Sequence, residues 1–303
     1  ELELQARNWR ALDLLELGRG HELRAEVEQF AALASRARLL SYSWYVPMWR
    51  ATLALMEGRI EDAMELARRE REMGHRAGDS NAEMCFIHHR FTRLMLDERH
   101  AEALGEFYTG DLAYATQKLA SPAGSAYRMT LAWLHAASGQ AEAARDHFEL
   151  VAADGFSAVR KDVNWLAVIS SAADACLLLD DRPRAQELLE LMEPFADRVT
   201  VSARGAAFRG SLSRLLGDLA AMLSDNDAAD AHYTQAEQLD ERLGAPVWTA
   251  HDLWHHGKLR LTLGDAPGAA ALLDRAAEIA AATGLERVLT RIEQSKTTTR
   301  QPA

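Results

Sequence analysis

The chain has 303 residues, a formal net charge of −11 at pH 7 and a hydrophobic content of 48%. This acidic balance disfavours direct contact with nucleic acid or an anionic membrane, since both need concentrated basic residues, and no basic patch stands out. No apolar run approaches the roughly 20 residues that span a bilayer, and the first residues lack the pattern of a signal peptide.

The two cysteines, Cys85 and Cys176, each lie in an apolar pattern of helical period. Separate, unpaired core cysteines are typical of a reducing compartment, so we expect a cytoplasmic protein without disulfides. The sequence also lacks the phosphate-binding loop G-x-x-x-x-G-K-[ST], and we expect no cofactor.

From the N-terminus, apolar residues recur with a period of 3.6 in successive pairs of segments, which predicts pairs of amphipathic helices. The second pair opens with the aromatic residues 41–49. Pro47 is tolerated only in the first turn of a helix, so this helix should begin near Ser43 or Trp44. Glycine and proline, which often interrupt helices, occur within residues 105–124. We expect either an extra helix at about 112–119 or a mobile loop there.

The last three pairs are predicted to follow one another regularly, and residues 213–246 give the clearest example. Two amphipathic segments flank a Ser-Asp-Asn-Asp turn, and Ala229, Tyr233 and Ala236 share one face of the second segment. One such hairpin cannot bury its apolar seam alone, which predicts further copies. A final capping helix should cover Leu285 to about Ile292.

Seven second helices begin at small or aliphatic residues about 40 residues apart, nearly all preceded by a glycine-containing or acidic turn. These residues are Leu23, Ala63, Ala103, Ala144, Ala185, Ala229 and Ala269. We therefore predict an all-α fold, a right-handed α-solenoid of about seven tetratricopeptide-like hairpins, each touching only its neighbours. It should occupy residues 1–294, with 295–303 a disordered tail or linker. The hairpin turns are predicted near Gly58, Gly139, Asp181, Asp225 and Gly264.

The segment 49–67 reads W-R-A-T-L-A-L-M-E-G-R-I-E-D-A-M-E-L-A and is followed by an A-G-D turn at 77–79. This pattern resembles the tetratricopeptide-like repeats of large ATP-binding LuxR-type transcriptional regulators. It is equally similar to the helical C-terminal halves of actinobacterial cyclase–ATPase proteins. The resemblance covers nearly the whole chain and is specific for the class of repeat rather than for one protein.

The resemblance implies a sensory or scaffold role. In such regulators a nucleotide-binding module precedes the repeats, and a helix-turn-helix or a cyclase domain supplies the output. This chain has no basic recognition helix near either end, so the resemblance extends only to the sensory part. Because the chain starts at Glu1 in helical phase, we expect a piece of a longer protein.

Catalytic and metal-binding arrangements are poorly supported by the spacing of residues. His251 and His255 lie at i and i+4, which allows one metal to be held, but no third ligand has a recognisable spacing. The adjacent His88 and His89 point about 100° apart on a helix. We therefore expect a protein that is not an enzyme and has no metal site, with a metalloenzyme using His251 and His255 as a remote alternative.

The inner surface carries the stronger signal for function. Projecting the first helices of the repeats onto the concave face predicts a groove rich in aromatic, methionine and charged residues, a composition typical of binding sites. The predicted groove residues are Tyr45, Met48, Thr52, His88, Thr92, Met129, Trp133, Ser170, Asp174, Arg214, Asp218, His251, Trp254 and Lys258.

The competing interpretation of this set is that Trp133 and Trp254 fill gaps between repeats. If the groove is open, we expect a small-molecule effector or a protein or peptide partner there, in the sensory part of a bacterial transcriptional regulator. The alternative is a free-standing adaptor that holds a peptide. The sequence does not decide whether the chain forms homo-oligomers.

Overall fold

A computed structural model describes residues 1–110, 119 and 124–299, and the all-α prediction is confirmed in these ranges. The extra helix predicted at about 112–119 lies outside the described residues except for its last position. None of the described helices combines the length and apolar character needed to cross a membrane.

The first four pairs follow the predicted periodicity. Pro47 falls in the first turn of its helix, as its missing N–H requires. The elements are α1 (Leu2–Glu16), α2 (Gly20–Ala37), the short α3 (Leu40–Ser43), α4 (Tyr45–Met56), α5 (Ile60–Ala77), α6 (Asn81–Leu96), α7 (His100–Tyr108), α8 (Gly124–Ala137) and α9 (Ala141–Ala152).

A capping helix follows the last three pairs. The predicted capping helix is longer than expected and extends to Thr299, so the first residues of the predicted tail are helical. The elements are α10 (Trp165–Leu179), α11 (Arg182–Met192), α12 (Leu212–Met222), α13 (Asn226–Leu243), α14 (Pro246–Thr262), α15 (Ala266–Ala282) and α16 (Glu286–Thr299).

The predicted register of the repeats is confirmed by burial. All seven residues predicted to begin the second helices are fully buried, and all five predicted hairpin turns separate paired helices. Two glycines bring the partner helices close together. A Cβ at Gly217 would lie 2.7 Å from the ring of Tyr233, and one at Gly257 would lie 2.8 Å from Leu273, so larger residues would force each pair apart.

The prediction of regular repeats fails between α11 and α12, where a β-hairpin is inserted. Strands β1 (Val199–Ser202) and β2 (Ala207–Ser211) pair antiparallel around a short helical turn, Ala203–Gly205. Gly205 has a φ of +98°, and a Cβ there would lie 2.6 Å from the ring of Trp49. The hairpin therefore packs tightly onto α4, and it also contacts α6, α10 and α13.

The two ends of the helical array contact each other, although the repeats were predicted to touch only their neighbours. Arg24 on α2 donates to the carbonyl oxygens of Leu243 (2.8 Å) and Gly244 (3.0 Å) after α13. On the other side, the backbone N–H of Arg287 donates to Asp97 at 2.9 Å. One hydrophobic cluster combines residues of α1–α6 with residues of α13–α16. The right-handed superhelical path stays a prediction.

Candidate functional site

The helical array contains a concave cavity of about 600 Å³ that is partly open to solvent. Helices α6–α8, α10, α12–α14 and α16 contribute to its wall, together with strand β2. Half of the predicted groove residues meet there: Trp133, Asp174, Arg214, Asp218, His251, Trp254 and Lys258. This cavity is the candidate functional site.

The first part of the predicted groove is not open, because the β-hairpin occupies it. Tyr45, Met48 and Thr52 are buried, and the hydroxyl of Thr52 lies 3.0 Å from the carbonyl oxygen of Gly205 in the hairpin turn. Thr52 therefore binds the hairpin turn, and none of the three residues contributes to the wall of this cavity. The prediction of a continuous groove from the second to the seventh repeat is wrong for this part.

The remaining predicted groove residues lie outside the main cavity. His88 and Thr92 contribute to a smaller cavity of about 180 Å³ between α6, α8, α10 and the hairpin. The Nδ1 of His88 donates to the carbonyl oxygen of Met84 in its own helix at 2.7 Å. Met129 and Ser170 are fully buried, and the hydroxyl of Ser170 is 2.9 Å from that of Thr200 in β1.

Arg209 on β2 separates the two cavities. Its guanidinium forms an ion pair with Asp174, donates to the hydroxyl of Ser171 at 3.1 Å and lies 4.0 Å from the ring centroid of Trp133. A cation this close to an indole face is attracted to the ring and keeps it in place. Sequence reasoning missed Arg209, because the hairpin that carries it was not predicted.

Asp218 on α12 organises the opposite wall of the cavity. It accepts hydrogen bonds from Arg214 (3.0 Å), from the hydroxyl of Tyr233 (2.7 Å) and from Nδ1 of His255 (2.6 Å). Burial alone would raise the pKa of Asp218, but its contacts with His255 and Arg214 outweigh burial and hold that pKa well below the usual range. Asp218 is therefore a carboxylate at neutral pH.

The cavity histidines are neutral at neutral pH. Burial lowers the pKa of His255 to about 4, that of His100 to about 4 and that of His251 to about 3. Because Nδ1 of His255 donates to Asp218, its Nε2 is a hydrogen-bond acceptor. His251 donates from Nε2 to the carbonyl oxygen of Leu96 at 3.0 Å.

His251 and His255 thus have separate protein partners. In the ranges 1–110 and 124–299, no group of three or more His, Cys, Asp or Glu side chains is arranged to hold a metal ion. The metalloenzyme alternative therefore gains no third ligand from these residues.

Lys258 on α14 is the cation of the cavity wall that lacks an ion-pair partner within the described part of the chain. Its Nζ lies 4.6 Å from the ring centroid of Trp254, whose Nε1 donates to Ser295 at 3.1 Å. Burial lowers the pKa of Lys258, although the nearby carboxylates of Asp218 and Glu98 oppose this effect. By contrast, Arg214 is paired with Asp218, and Arg291 with Glu98 at 2.8 Å.

Several residues of the wall lie on elements that the projection of the first helices left out. Tyr233 is on a second helix, Arg291 is on the capping helix, and His100 begins the short α7. The sequence patterns predicted these helices, but they gave no indication that the helices also line the cavity. Trp248 was within reach of sequence reasoning, since it lies one helical turn before His251 on the same face.

The fold and the cavity define an all-α protein of successive helical hairpins with a concave polar and aromatic site. No profile of a known protein family matches the chain, and no curated protein matches its sequence significantly.

Proposed function

We propose that the chain is a non-catalytic ligand-binding module whose ligand is a small organic anion with an aromatic or other apolar body. The observation that carries this proposal is Lys258, a mostly buried ammonium without a carboxylate partner in a cavity walled by tryptophans. Burying a charge without a counterion is unfavourable, so an anionic ligand would relieve that cost.

The charged end of the cavity is suited to a carboxylate. Lys258 can donate to it directly, and Arg214 contributes a second positive charge that stays fixed by Asp218. The Nε2 of neutral His255 accepts a hydrogen bond, so a hydroxyl or N–H on the ligand has a partner beside the anion. The site therefore combines the Lys258 ammonium with a neutral hydrogen-bond acceptor on His255.

The apolar body of the ligand would lie against the indole rings of Trp133, Trp248 and Trp254. Indole faces cover apolar ligand surface and bind planar rings in offset or edge-on contact. The cavity volume of about 600 Å³ falls within the range of roughly 300–1,000 Å³ typical of small-molecule sites. A long peptide fits less well, because the β-hairpin occupies the first part of the predicted groove.

As to biological context, we propose the sensory part of a cytoplasmic bacterial transcriptional regulator that does not itself contact DNA. The support is the resemblance of residues 49–67 to the repeats of LuxR-type regulators. The position of the cavity is compatible with such a role, because its wall combines residues from α6–α8 with residues from α12–α14 and α16, so a ligand there would contact helices distant in sequence.

The test is calorimetric titration of the full chain with indole-3-acetate and benzoate, each compared with its uncharged amide. Lys258→Met keeps most of the apolar stem and removes the charge, and it should weaken carboxylate binding about tenfold or more. Lys161→Met is the matched control, because Lys161 also stacks on a tryptophan, at 5.7 Å from the ring of Trp165, outside the cavity. Equal binding of acids and amides, or equal losses in both variants, would contradict the proposal.

A further inference from the structure

A second concave surface, which shares no wall residue with the first cavity, is strongly basic. It is a cavity of about 360 Å³ formed by α5, α6 and α7, and its wall contains five arginines but only two glutamates, in a chain whose net charge is −11. The arginines are Arg68, Arg71, Arg90, Arg93 and Arg99. Sequence analysis found no basic patch, because each arginine alone resembles part of a solvated helix face.

The helical period brings these arginines together. Arg68 and Arg71 lie one turn apart on α5, and Arg90 and Arg93 lie one turn apart on the neighbouring α6. Arg99 precedes the first turn of α7. Two adjacent helices therefore present their basic faces to the same concavity.

Three of the arginines are held in place by carboxylates. Arg71 pairs with Glu83 at 2.7 Å, Arg90 pairs with Glu106 at 3.0 Å, and Arg99 donates to Glu102 at 2.8 Å. Within the described ranges, the guanidinium groups of Arg68 and Arg93 have no hydrogen bond or ion pair. Five like charges gathered on one wall with only two wall carboxylates repel one another, which an added anion would relieve.

A buried aromatic ring forms part of this wall. The guanidinium carbon of Arg71 lies 4.8 Å from the ring centroid of Phe86, and that of Arg90 lies 6.0 Å from it. Stacking on an aromatic face fixes the plane of a guanidinium and leaves its N–H edges for an in-plane acceptor. The basic surface is therefore partly organised before any ligand binds.

We propose that this cavity binds the phosphate groups of a small phosphorylated molecule. Planar guanidinium groups match phosphate oxygens with paired hydrogen bonds, and the excess of three positive charges on the wall matches a multiply charged group better than a single carboxylate. The volume admits a diphosphate or a mononucleotide. The acidic remainder of the chain opposes a long polyanion such as DNA.

The experiment titrates the full chain calorimetrically with pyrophosphate, ADP and adenosine at constant ionic strength. Pyrophosphate and ADP should both bind, and adenosine should not, because recognition is of the phosphates. ADP binding clearly tighter than pyrophosphate identifies a nucleotide as the ligand, whereas equal affinities identify the diphosphate group alone.

Arg68→Gln and Arg93→Gln should each weaken pyrophosphate binding about tenfold. Arg69→Gln is the matched control, since Arg69 is exposed on the same helix and is not part of the cavity wall. Lys258→Met should leave pyrophosphate binding unchanged, which separates this site from the aromatic cavity. Absence of binding at millimolar pyrophosphate, an equal loss in Arg69→Gln, or a salt-sensitive shift of duplex DNA would each overturn the proposal.

Discussion

Asp240 on α13 and Asp252 on α14 are fully buried neighbours, and neither carboxyl oxygen of Asp252 has a hydrogen-bond partner among the described residues. Asp240 accepts a hydrogen bond from the backbone N–H of Ser211 at 2.9 Å, which favours its charged form. Burial and then the neighbouring Asp240 raise the pKa of Asp252 well above its usual value. We therefore expect Asp252 to be the carboxyl group that keeps its proton.

This pair predicts a contribution to stability that is lost as the pH rises. Between the usual carboxyl pKa of about 4 and the raised value, Asp252 is protonated in the folded chain and ionised in the unfolded chain, so its contribution to the free energy of unfolding falls with increasing pH. The cavity histidines, whose pKa values burial lowers, act in the opposite direction, so the effect is measured as the difference between variant and parent. Asp252→Asn removes the ionisable group and should raise the free energy of unfolding by about 1 kcal/mol or more at pH 8, and by less at pH 5. Urea unfolding of parent and variant at both pH values measures this difference, with the exposed Asp227→Asn as the control, and a difference that does not grow with pH would rule out a retained proton on Asp252.

The close contact of paired helices predicts that extra volume at the seam is costly. Ala229 and Ala269 are fully buried, so replacing either with leucine should lower the free energy of unfolding by roughly 1–3 kcal/mol. Ala271→Leu, on the exposed face of α15, should cost little. Denaturant midpoints for the three variants compare these sites directly, and parental midpoints for both seam variants would show that the seam tolerates the added methylenes.

The contact between the hairpin turn and α4 predicts a large effect at Gly205. Gly205→Ala introduces a Cβ close to Trp49 as well as backbone strain, whereas Gly264→Ala meets a φ of +77° with no atom within 4 Å. Gly264→Ala should therefore lower the free energy of unfolding through backbone strain alone, by roughly 1–2 kcal/mol. Gly205→Ala should lower it further. Thermal unfolding of both variants checks this order. Equal costs would mean that Trp49 moves aside freely.

The bridge made by Arg24 predicts that the two ends of the array protect each other from opening. Arg24→Met removes the donor to Leu243 and Gly244 and also the 3.0 Å ion pair with Glu57. Amide hydrogen exchange should then accelerate in both α2 and α13, which are distant in sequence. Arg36→Met, an exposed change on the same α2, serves as the control. Faster amide exchange in α2 alone would show that the contact does not couple the opening of α2 to that of α13.

The helices and their register follow from sequence because they depend on local patterns. A period of 3.6 and small residues at the seams, such as Ala229, reveal which face of each helix is buried. The β-hairpin was missed although Val199 and Val201 alternate with polar residues, the pattern of a short strand, because this segment was fitted to the helical repeat.

The sequence predicted only part of the candidate site. Residues on the first helices, such as Trp254 and Lys258, were projected onto a common surface, and they lie together in the cavity wall. The partners that give these residues their chemistry come from distant segments: Ser295 from the capping helix and Glu98 from the turn after α6. No local pattern encodes the packing of α16 against α14 or of the turn after α6 near Lys258, and so the composition of the cavity wall could not be predicted.

The contact between Arg24 and Gly244 also limits how this protein can change in length. An open array of repeats grows or shrinks by one hairpin at a terminus or in the middle, because each unit depends only on its neighbours. Here a hairpin duplicated anywhere between α2 and α13 would displace one side of the contact from the other and expose the core that both ends share. A change in the number of repeats between these helices would therefore break the contact unless other residues replaced it.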